Sequence, residues 1–516
     1  MRTVLAHRPL SQGSLIILFS ILIPVLVFVL SNAILREDMA ELTLVGALAT
    51  GAISTFFILG DWRIGVTQFF VWIVFEDLVR KFLGNSMLVY GVKDLLILTT
   101  YFSFLLCVWR RREIVLENPI RVPLSLFVAW VVVCSFGLGI DTPFVPVLGM
   151  RMSLFYVPML YLGYAFLQDE VRLRRFLLMM TCLAGLISVI GIIQVSTGLN
   201  FLNPPEATGL RLYLTRYSPE SVMMVPRPTS TFVDAGRFAQ YVFFLAYVGL
   251  GFLGYLYSTT PTRSFFSRWR TVLLWTTVVA ALLLSGQRTA IVLFVLSAPV
   301  VAILHFRERA RRRLGMGRFP LAKVVIIGTL ALSCLVAVLP ERFVAVRNFV
   351  TESLQPGGHD PQLVRRPAAT WQDIGFAFQQ SGFSGHGTGT ASLGLLYLQP
   401  YLTEAQMVRY APQVEGGYAA VLWEWGIVGL VLWCWWTVAL VWAMFRAVSQ
   451  VRGSRFFWLA LSIAICVTLV LFPYFSLGMQ VYQNYLTQAL LWFMVGLVFR
   501  FPSLLASPAP VLRTPR

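Results

Sequence analysis

The chain has 516 residues, of which 58% are hydrophobic, 14% aromatic and only 12% charged. Soluble proteins carry about a quarter charged residues, so this composition excludes both a single soluble globular domain and a disordered chain. The formal net charge of +18 would suggest nucleic acid in a soluble protein, but against this apolar background it asks which side of a bilayer the arginines occupy.

The apolar residues come in runs of roughly 20, the length of a membrane-crossing helix. Windows of about 19 residues give about fourteen candidate spans, near 14–35, 41–60, 64–83, 94–109, 122–140, 152–168, 175–195, 238–257, 271–285, 288–304, 322–340, 417–445, 456–474 and 484–500. Several are short, so the expected number is about 12–14. The ninth and tenth are the weakest, because only a tight turn at Gly286-Gln287 separates them. The expected fold is an all-α polytopic membrane protein, one integral membrane domain over residues 1–516.

The first span follows Arg2 and Arg8 with no small-residue cleavage site after it, and reads as an uncleaved anchor. With the N-terminus in the cytoplasm, the dense arginine clusters fall inside: Arg110 to Arg112, Arg172 to Arg175, Arg263 to Arg270, Arg307 to Arg318 and Arg446 to Arg455. About 26 of the 41 basic residues then lie in short inner loops, as the positive-inside rule requires, with both termini cytoplasmic. The six cysteines, Cys107, Cys134, Cys182, Cys334, Cys434 and Cys466, all lie inside predicted spans without metal-ligand spacing, and read as buried apolar thiols.

Two non-cytoplasmic loops are long, 196–237 and 341–416. Neither is apolar enough to fold alone, so both read as loops and short helices laid over the bundle, and long loops in economical folds are usually functional. They carry arginines that run against the positive-inside trend: Arg211, Arg216, Arg227 and Arg237 in the first, and Arg342, Arg347, Arg365, Arg366 and Arg409 in the second. Arg288 lies between them, in the turn Ser285-Gly286-Gln287-Arg288-Thr289-Ala290 at a helix start. A guanidinium stays charged and presents a planar fork of donors suited to phosphate or diphosphate, although an interfacial arginine also snorkels to water without binding anything.

The second loop ends in Gly385-His386-Gly387-Thr388-Gly389-Thr390. It lacks the Gly-Lys-Ser/Thr ending and the preceding strand of a phosphate-binding loop. Gly385, Gly387 and Gly389 then mark a flexible turn or a backbone approaching a ligand closely, and His386 is a candidate base or a solvated histidine. Glu415 stands at the mouth of the next helix, where the positive end of the dipole favours a carboxylate. Glu424 lies deeper, where an ionisable side chain is costly and marks either function or a structural hydrogen bond. Glu76, Asp77 and Asp94, near other helix ends, have weaker claims.

These residues resemble the O-antigen ligase and O-antigen polymerase superfamily of bacterial inner-membrane glycosyltransferases. Its ligases carry a periplasmic His, a small amide or hydroxyl residue, nine residues, then Gly-x-x-Gly; here Glu415-Gly416 precede Gly426-Ile427-Val428-Gly429 at that spacing, with Glu and Gly in place of the first two. Arg227 to Asp234 is similar to the family's arginine-bearing segment before a helix, and Ser285 to Ala290 to its Ser-x-x-Arg turn. Arg366, Trp371 and Gly385 to Gly389 resemble its large loop, so the likeness covers about residues 200–430.

The resemblance implies a GT-C-like enzyme that needs no metal, nucleotide or other cofactor. It would transfer a glycan from undecaprenyl diphosphate to an acceptor glycan or lipid-linked repeat unit at the periplasmic face. Arg211, Arg216, Arg227, Arg237, Arg288 and Arg366 would stabilise the departing diphosphate, with Glu415 as base and His386 as the substitute. The loss of the ligase histidine favours a polymerase of O-antigen, capsule or exopolysaccharide over a ligase acting on another acceptor. A flippase for lipid-linked sugars would show repeats in its two halves, and none is visible. The partners expected are the lipid-linked glycan, membrane lipids and other polysaccharide-assembly proteins, and no nucleic acid.

Overall fold

The computed structural model describes residues 51–83, 87–110, 112–137, 142–204, 215–218, 223–259, 265–311, 339–354, 362–398, 402–404, 406, 414–478 and 480–506. The predicted span at 14–35, nearly all of that at 322–340, and Arg211 lie outside them. In chain order the helices are α1 (Gly51–Gly60), α2 (Trp62–Phe82), α3 (Met87–Trp109), α4 (Arg121–Cys134), α5 (Phe144–Ser153), α6 (Met159–Phe166) and α7 (Glu170–Thr197). After a hairpin, β1 (Thr215–Ser218) and β2 (Met223–Pro226), come α8 (Ala235–Thr259), α9 (Phe265–Leu284) and α10 (Arg288–Arg311). The second long loop holds α11 (Pro340–Leu354), α12 (Gln362–Ser381) and the single turn α13 (Leu395–Leu398). The chain closes with α14 (Gly417–Gln450), α15 (Phe457–Leu469, continued by a π turn to Leu477), α16 (Gln480–Gln483) and α17 (Tyr485–Ala506).

The protein is an all-α polytopic membrane protein. Among the described residues six helices are long and apolar enough to cross a bilayer: α3, α7, α8, α14, α15 and α17. Shorter apolar stretches fall at Gly51–Gly60, Arg121–Cys134, Arg270–Leu284 and Arg288–Val301. The ninth and tenth predicted spans are thus separate helices, α9 and α10. Local chemistry sets several of the ends. Asp61 caps α2 and Asp169 caps α7, each accepting a backbone N–H of the first turn, and α7 stops at Gly198 with φ 129°.

Two expectations need correction. The run 152–168 is not one span but α5 and α6, parted by a turn at 154–158 whose bonds run three residues back, because Pro158 has no N–H to continue a helix. The thiols are not uniformly buried either. Cys134 and Cys466 are, but Cys182 and Cys434 are exposed on the bundle's outer face, where lipid rather than protein covers an apolar thiol. The hairpin, in register Arg216 opposite Val225, is the one sheet among the described residues and lies within the first long loop.

The core is built around α8 and α17. Of the apolar window of α8, 94% is buried, against 33% for α3, which places α8 at the centre and α3 at the rim. α6 meets α17 backbone to backbone, since a side chain at Gly163 or Gly496 would strike Phe493 O or Leu160 O. Small residues permit this approach between apolar helices that gain little from hydrophobicity in lipid. α2 carries too many charges to count among the six, yet its Glu76, Asp77, Arg80 and Lys81 are all buried. Its C-terminal end, the starts of α8, α10, α14 and α17, and both long loops meet at one end of the bundle, the loop end.

Candidate active site

The segment from Arg227 to Asp234 enters the bundle rather than lying on it. Thr229, Ser230 and Thr231 have no solvent exposure, and their polar atoms are bonded to α2 and α7. Non-helical backbone at membrane depth is tolerated only where protein satisfies it. Arg227, half-buried, leads this segment, and Arg237, in the first turn of α8, ends it. Arg237 donates to Asp77 Oδ2 at 2.9 Å, and its backbone N–H reaches Asp234 Oδ2 at 3.2 Å. Arg216 lies in β1, and Arg211 lies outside the described residues.

The turn before α10 packs onto this segment. Gly286 has φ 66°, and a Cβ there would stand 2.9 Å from Pro226 O and 3.3 Å from Arg227 Cγ. Ser285 Oγ donates to Leu282 O at 2.7 Å and accepts from Gln287 N at 3.3 Å, closing the turn. Arg288 then begins α10, with 7% of its surface exposed. Its guanidinium carbon lies 4.2 Å from the centroid of the Phe349 ring, and Nη1 donates to Ser353 Oγ. α11 thus presents an aromatic face and a hydroxyl that fix the plane of the fork.

α12 supplies the other side. Arg366, Thr370 and Asp373 recur at helical spacing on one face. Arg366 Nη1 donates to Leu477 O at 2.6 Å, and Thr370 Oγ1 to Ser476 O at 3.3 Å. Asp373 Oδ2 accepts the N–H groups of Glu415 and Gly416 at 3.2 and 3.3 Å, so it caps α14 from outside that helix. Glu415 is 83% exposed and lies 3.6 Å from Arg366 Nη2. The opposite face of α12 shows Trp371 and Phe378 to the surroundings, at 72% and 57% exposure. With its polar face inward and its apolar face outward, α12 has the pattern of a helix resting in lipid.

Tyr474, on the π turn after α15, joins the two sides. That turn packs on α10, and its continuation to Leu477 packs on α12. The structure therefore joins Arg288 to Arg227 through Gly286, Arg227 to Arg237 through the segment they flank, and Arg366 to Glu415 directly. Sequence reasoning missed Asp373, Tyr474, Phe349 and Ser353. Asp373 left a signal, since it stands seven residues after Arg366; the others became visible only through tertiary contact.

The glycine-rich turn is placed differently. Gly385, Gly387 and Gly389 have φ of 74°, 107° and 92°. Their close approach is to protein rather than to open space: a Cβ on Gly385 would stand 2.6 Å from Glu424 O, and one on Gly389 would strike Val145 O. The backbone N–H groups of His386 and Gly387 donate to Trp423 O and Glu424 O at 2.8 and 2.9 Å. α14 breaks at Gly426 (φ 66°, ψ −165°) to receive the turn, and the freed Glu424 O is one of the acceptors. Glu424 itself, buried, accepts from Ala391 N at 3.0 Å, a bond to the loop that holds the turn in place. His386 rests on the Trp423 ring at 4.2 Å, nearly two turns into α14, whereas Glu415 stands before that helix begins. Gly429 packs on Trp425 and Trp130, one turn past the break.

Gly426→Ala is expected to destabilise the protein severely, by roughly 3 kcal/mol or more, because it combines a left-handed φ with a Cβ driven into Phe383 O. Thermal unfolding of the detergent-purified variant measures it, and a melting temperature equal to that of the parent contradicts it.

Among the described residues no three His, Cys, Asp or Glu side chains are grouped to hold a metal ion. No curated protein matches the chain. Residues 272–434 match the family model described as O-antigen ligase, a segment that runs from α9 through the second long loop to the middle of α14 and contains Arg288, Arg366, the glycine turn, Glu415 and Gly426. The match spans about a third of the chain, and over that segment the chain is similar to the O-antigen ligases.

Proposed function

We propose that this protein polymerises undecaprenyl-diphosphate-linked oligosaccharide repeat units into a surface polysaccharide, with the loop end of the bundle facing the periplasm of a bacterial inner membrane. The observation that carries the reading is the placement of Arg227, Arg237, Arg288 and Arg366, from three chain segments, at the loop end of the bundle, with Arg366 beside the exposed carboxylate of Glu415. Positive residues in the short loops at the other end support the sidedness.

In the reaction an acceptor hydroxyl attacks the anomeric carbon of the donor glycan. The new glycosidic C–O bond forms as the bond from that carbon to the diphosphate oxygen breaks. Negative charge grows on the leaving undecaprenyl diphosphate, where guanidinium groups already in place lower the barrier. Arg288 is best prepared for this, because its fork is fixed by Phe349 and Ser353 before substrate arrives. Glu415 takes the acceptor proton and returns it to water. Its 83% exposure leaves room for an acceptor at the helix mouth, and Arg366 orients it.

A second reading, ligation of a finished glycan to a different acceptor, is favoured by the family description. Glu415-Gly416, where the ligases resembled here carry His and a small polar residue, favours polymerisation. The test is product analysis with purified full-length protein in nanodiscs. Lipid-linked repeat units alone should yield longer lipid-linked chains. Transfer only when a separate acceptor is added makes the protein a ligase, and no transfer in either case removes both readings.

A further inference from the structure

A charged cluster buried at the C-terminal end of α2 includes none of the groups assigned to the reaction except Arg237. On α2, the Asp77 carboxylate receives Arg80 Nη1 at 2.9 Å on one oxygen and Arg237 Nη1 at 2.9 Å on the other. Asp77 Oδ2 also accepts the N–H of Val233 at 3.3 Å. One turn on, Lys81 Nζ donates to Thr229 Oγ1 at 3.0 Å and to Ser230 O at 2.8 Å. From α7, Gln194 Oε1 accepts the N–H groups of Thr229 and Ser230 at 3.1 and 2.7 Å. Ser230 Oγ donates to Ile187 O at 2.7 Å, and Thr231 Oγ1 to Val74 O at 2.6 Å.

Two features separate this cluster from ordinary helix packing. The first is strain. Ser230 has φ 52°, a left-handed conformation that is unfavourable for a non-glycine residue and persists only where the surroundings over-determine it. The second is economy: charged side chains at this depth are expensive, and helix packing alone does not need them. What these bonds hold is not another helix but the irregular segment that carries Arg227 at one end and Arg237 at the other. In addition, of the three charged groups joined through the Asp77 carboxylate, Arg237 is the one that reaches the surface. Its side chain is 18% exposed while Asp77 and Arg80 have none.

We infer that Lys81 and Asp77 are positioning residues: they lock the 229–233 segment so that Arg227 and Arg237 are presented together to the donor diphosphate. This rests on the polymerase or ligase reading and adds to it a set of residues on α2, outside the stretch matched by the family model.

Thr229→Val tests it with the least disturbance, because it keeps the shape and removes only the hydroxyl that Lys81 and Asn203 Oδ1 share. The full-length protein in nanodiscs is assayed with a lipid-diphosphate-linked repeat unit as donor, varying donor and acceptor separately. Thr229→Val is expected to lower kcat/KM for the donor by about tenfold, the scale of one hydrogen bond to a charged group, with the KM for acceptor unchanged. Thr229→Ser should restore it. Asp77→Asn, which releases Arg237 from its carboxylate, should show the same donor-specific loss. If Thr229→Val has the parent's donor kcat/KM, or if donor and acceptor parameters decline together without rescue by serine, the positioning role is overturned. A parent protein that transfers no glycan at all overturns the functional reading and this inference with it, an outcome distinct from an active parent with unaffected variants.

Discussion

Arg288→Ala is expected to reduce glycan elongation by on the order of 10²–10³-fold, the loss that follows removal of one preorganised charge-stabilising group. The size follows from the setting of Arg288. It is buried and stacked on Phe349, and it is bonded to Ser353, so it needs no reorganisation when charge appears on the leaving group. Arg288→Lys should recover little, since a point charge on a flexible stem reproduces neither the stacking nor the fork. Chain-length analysis of the polysaccharide in cells carrying each variant measures the effect, with membrane insertion checked by the amount of protein recovered. Full-length polymer at the parent rate in Arg288→Ala removes Arg288 from the chemistry.

Glu415→Gln carries the second large effect, a fall of about 10²–10⁴-fold in turnover if this carboxylate is the general base. Folding should be unaffected, because the contact that anchors this residue to Asp373 is made by its backbone N–H and its side chain is 83% exposed. Glu415→Asp keeps the carboxylate but withdraws it by one methylene, and should fall between the two. Initial rates with purified protein measure this. Parent-like turnover in Glu415→Gln together with loss in His386→Ala moves the base to His386, which sits on Trp423.

The parts legible in the sequence were those written locally. Span length and arginine sidedness gave the polytopic helical fold, and arginines on the unexpected side singled out Arg227, Arg237, Arg288 and Arg366. Spacing placed Glu415 and Gly426 on one motif. What was not legible depends on contacts between distant segments. Lys81 and Ser230 are 149 positions apart, and nothing local to either forecasts the bond between them. Asp77, ranked low as a charge near a helix end, proves to be a buried partner of Arg237, a distinction that hydropathy cannot draw. The glycines of 385–389 were read as a flexible turn or as a backbone approaching a ligand; the structure shows Gly385 and Gly389 against the backbone of α14 and α5 instead. A broken α14 was likewise hidden, because apolar residues continue on both sides of Gly426 and hydropathy reads straight through it.

The central claim, that the arginines of the loop end form a site for a lipid diphosphate, is tested most directly by binding rather than by turnover. Undecaprenyl diphosphate without glycan is titrated into the detergent-purified full-length protein, beside undecaprenyl monophosphate, and the bound fraction is read by native mass spectrometry. The diphosphate is expected to bind in preference to the monophosphate. Arg227→Ala, Arg288→Ala and Arg366→Ala should each weaken that binding by about tenfold or more, the worth of a charge-assisted hydrogen bond. Equal binding of the two lipids, with no change in the three variants, would contradict it.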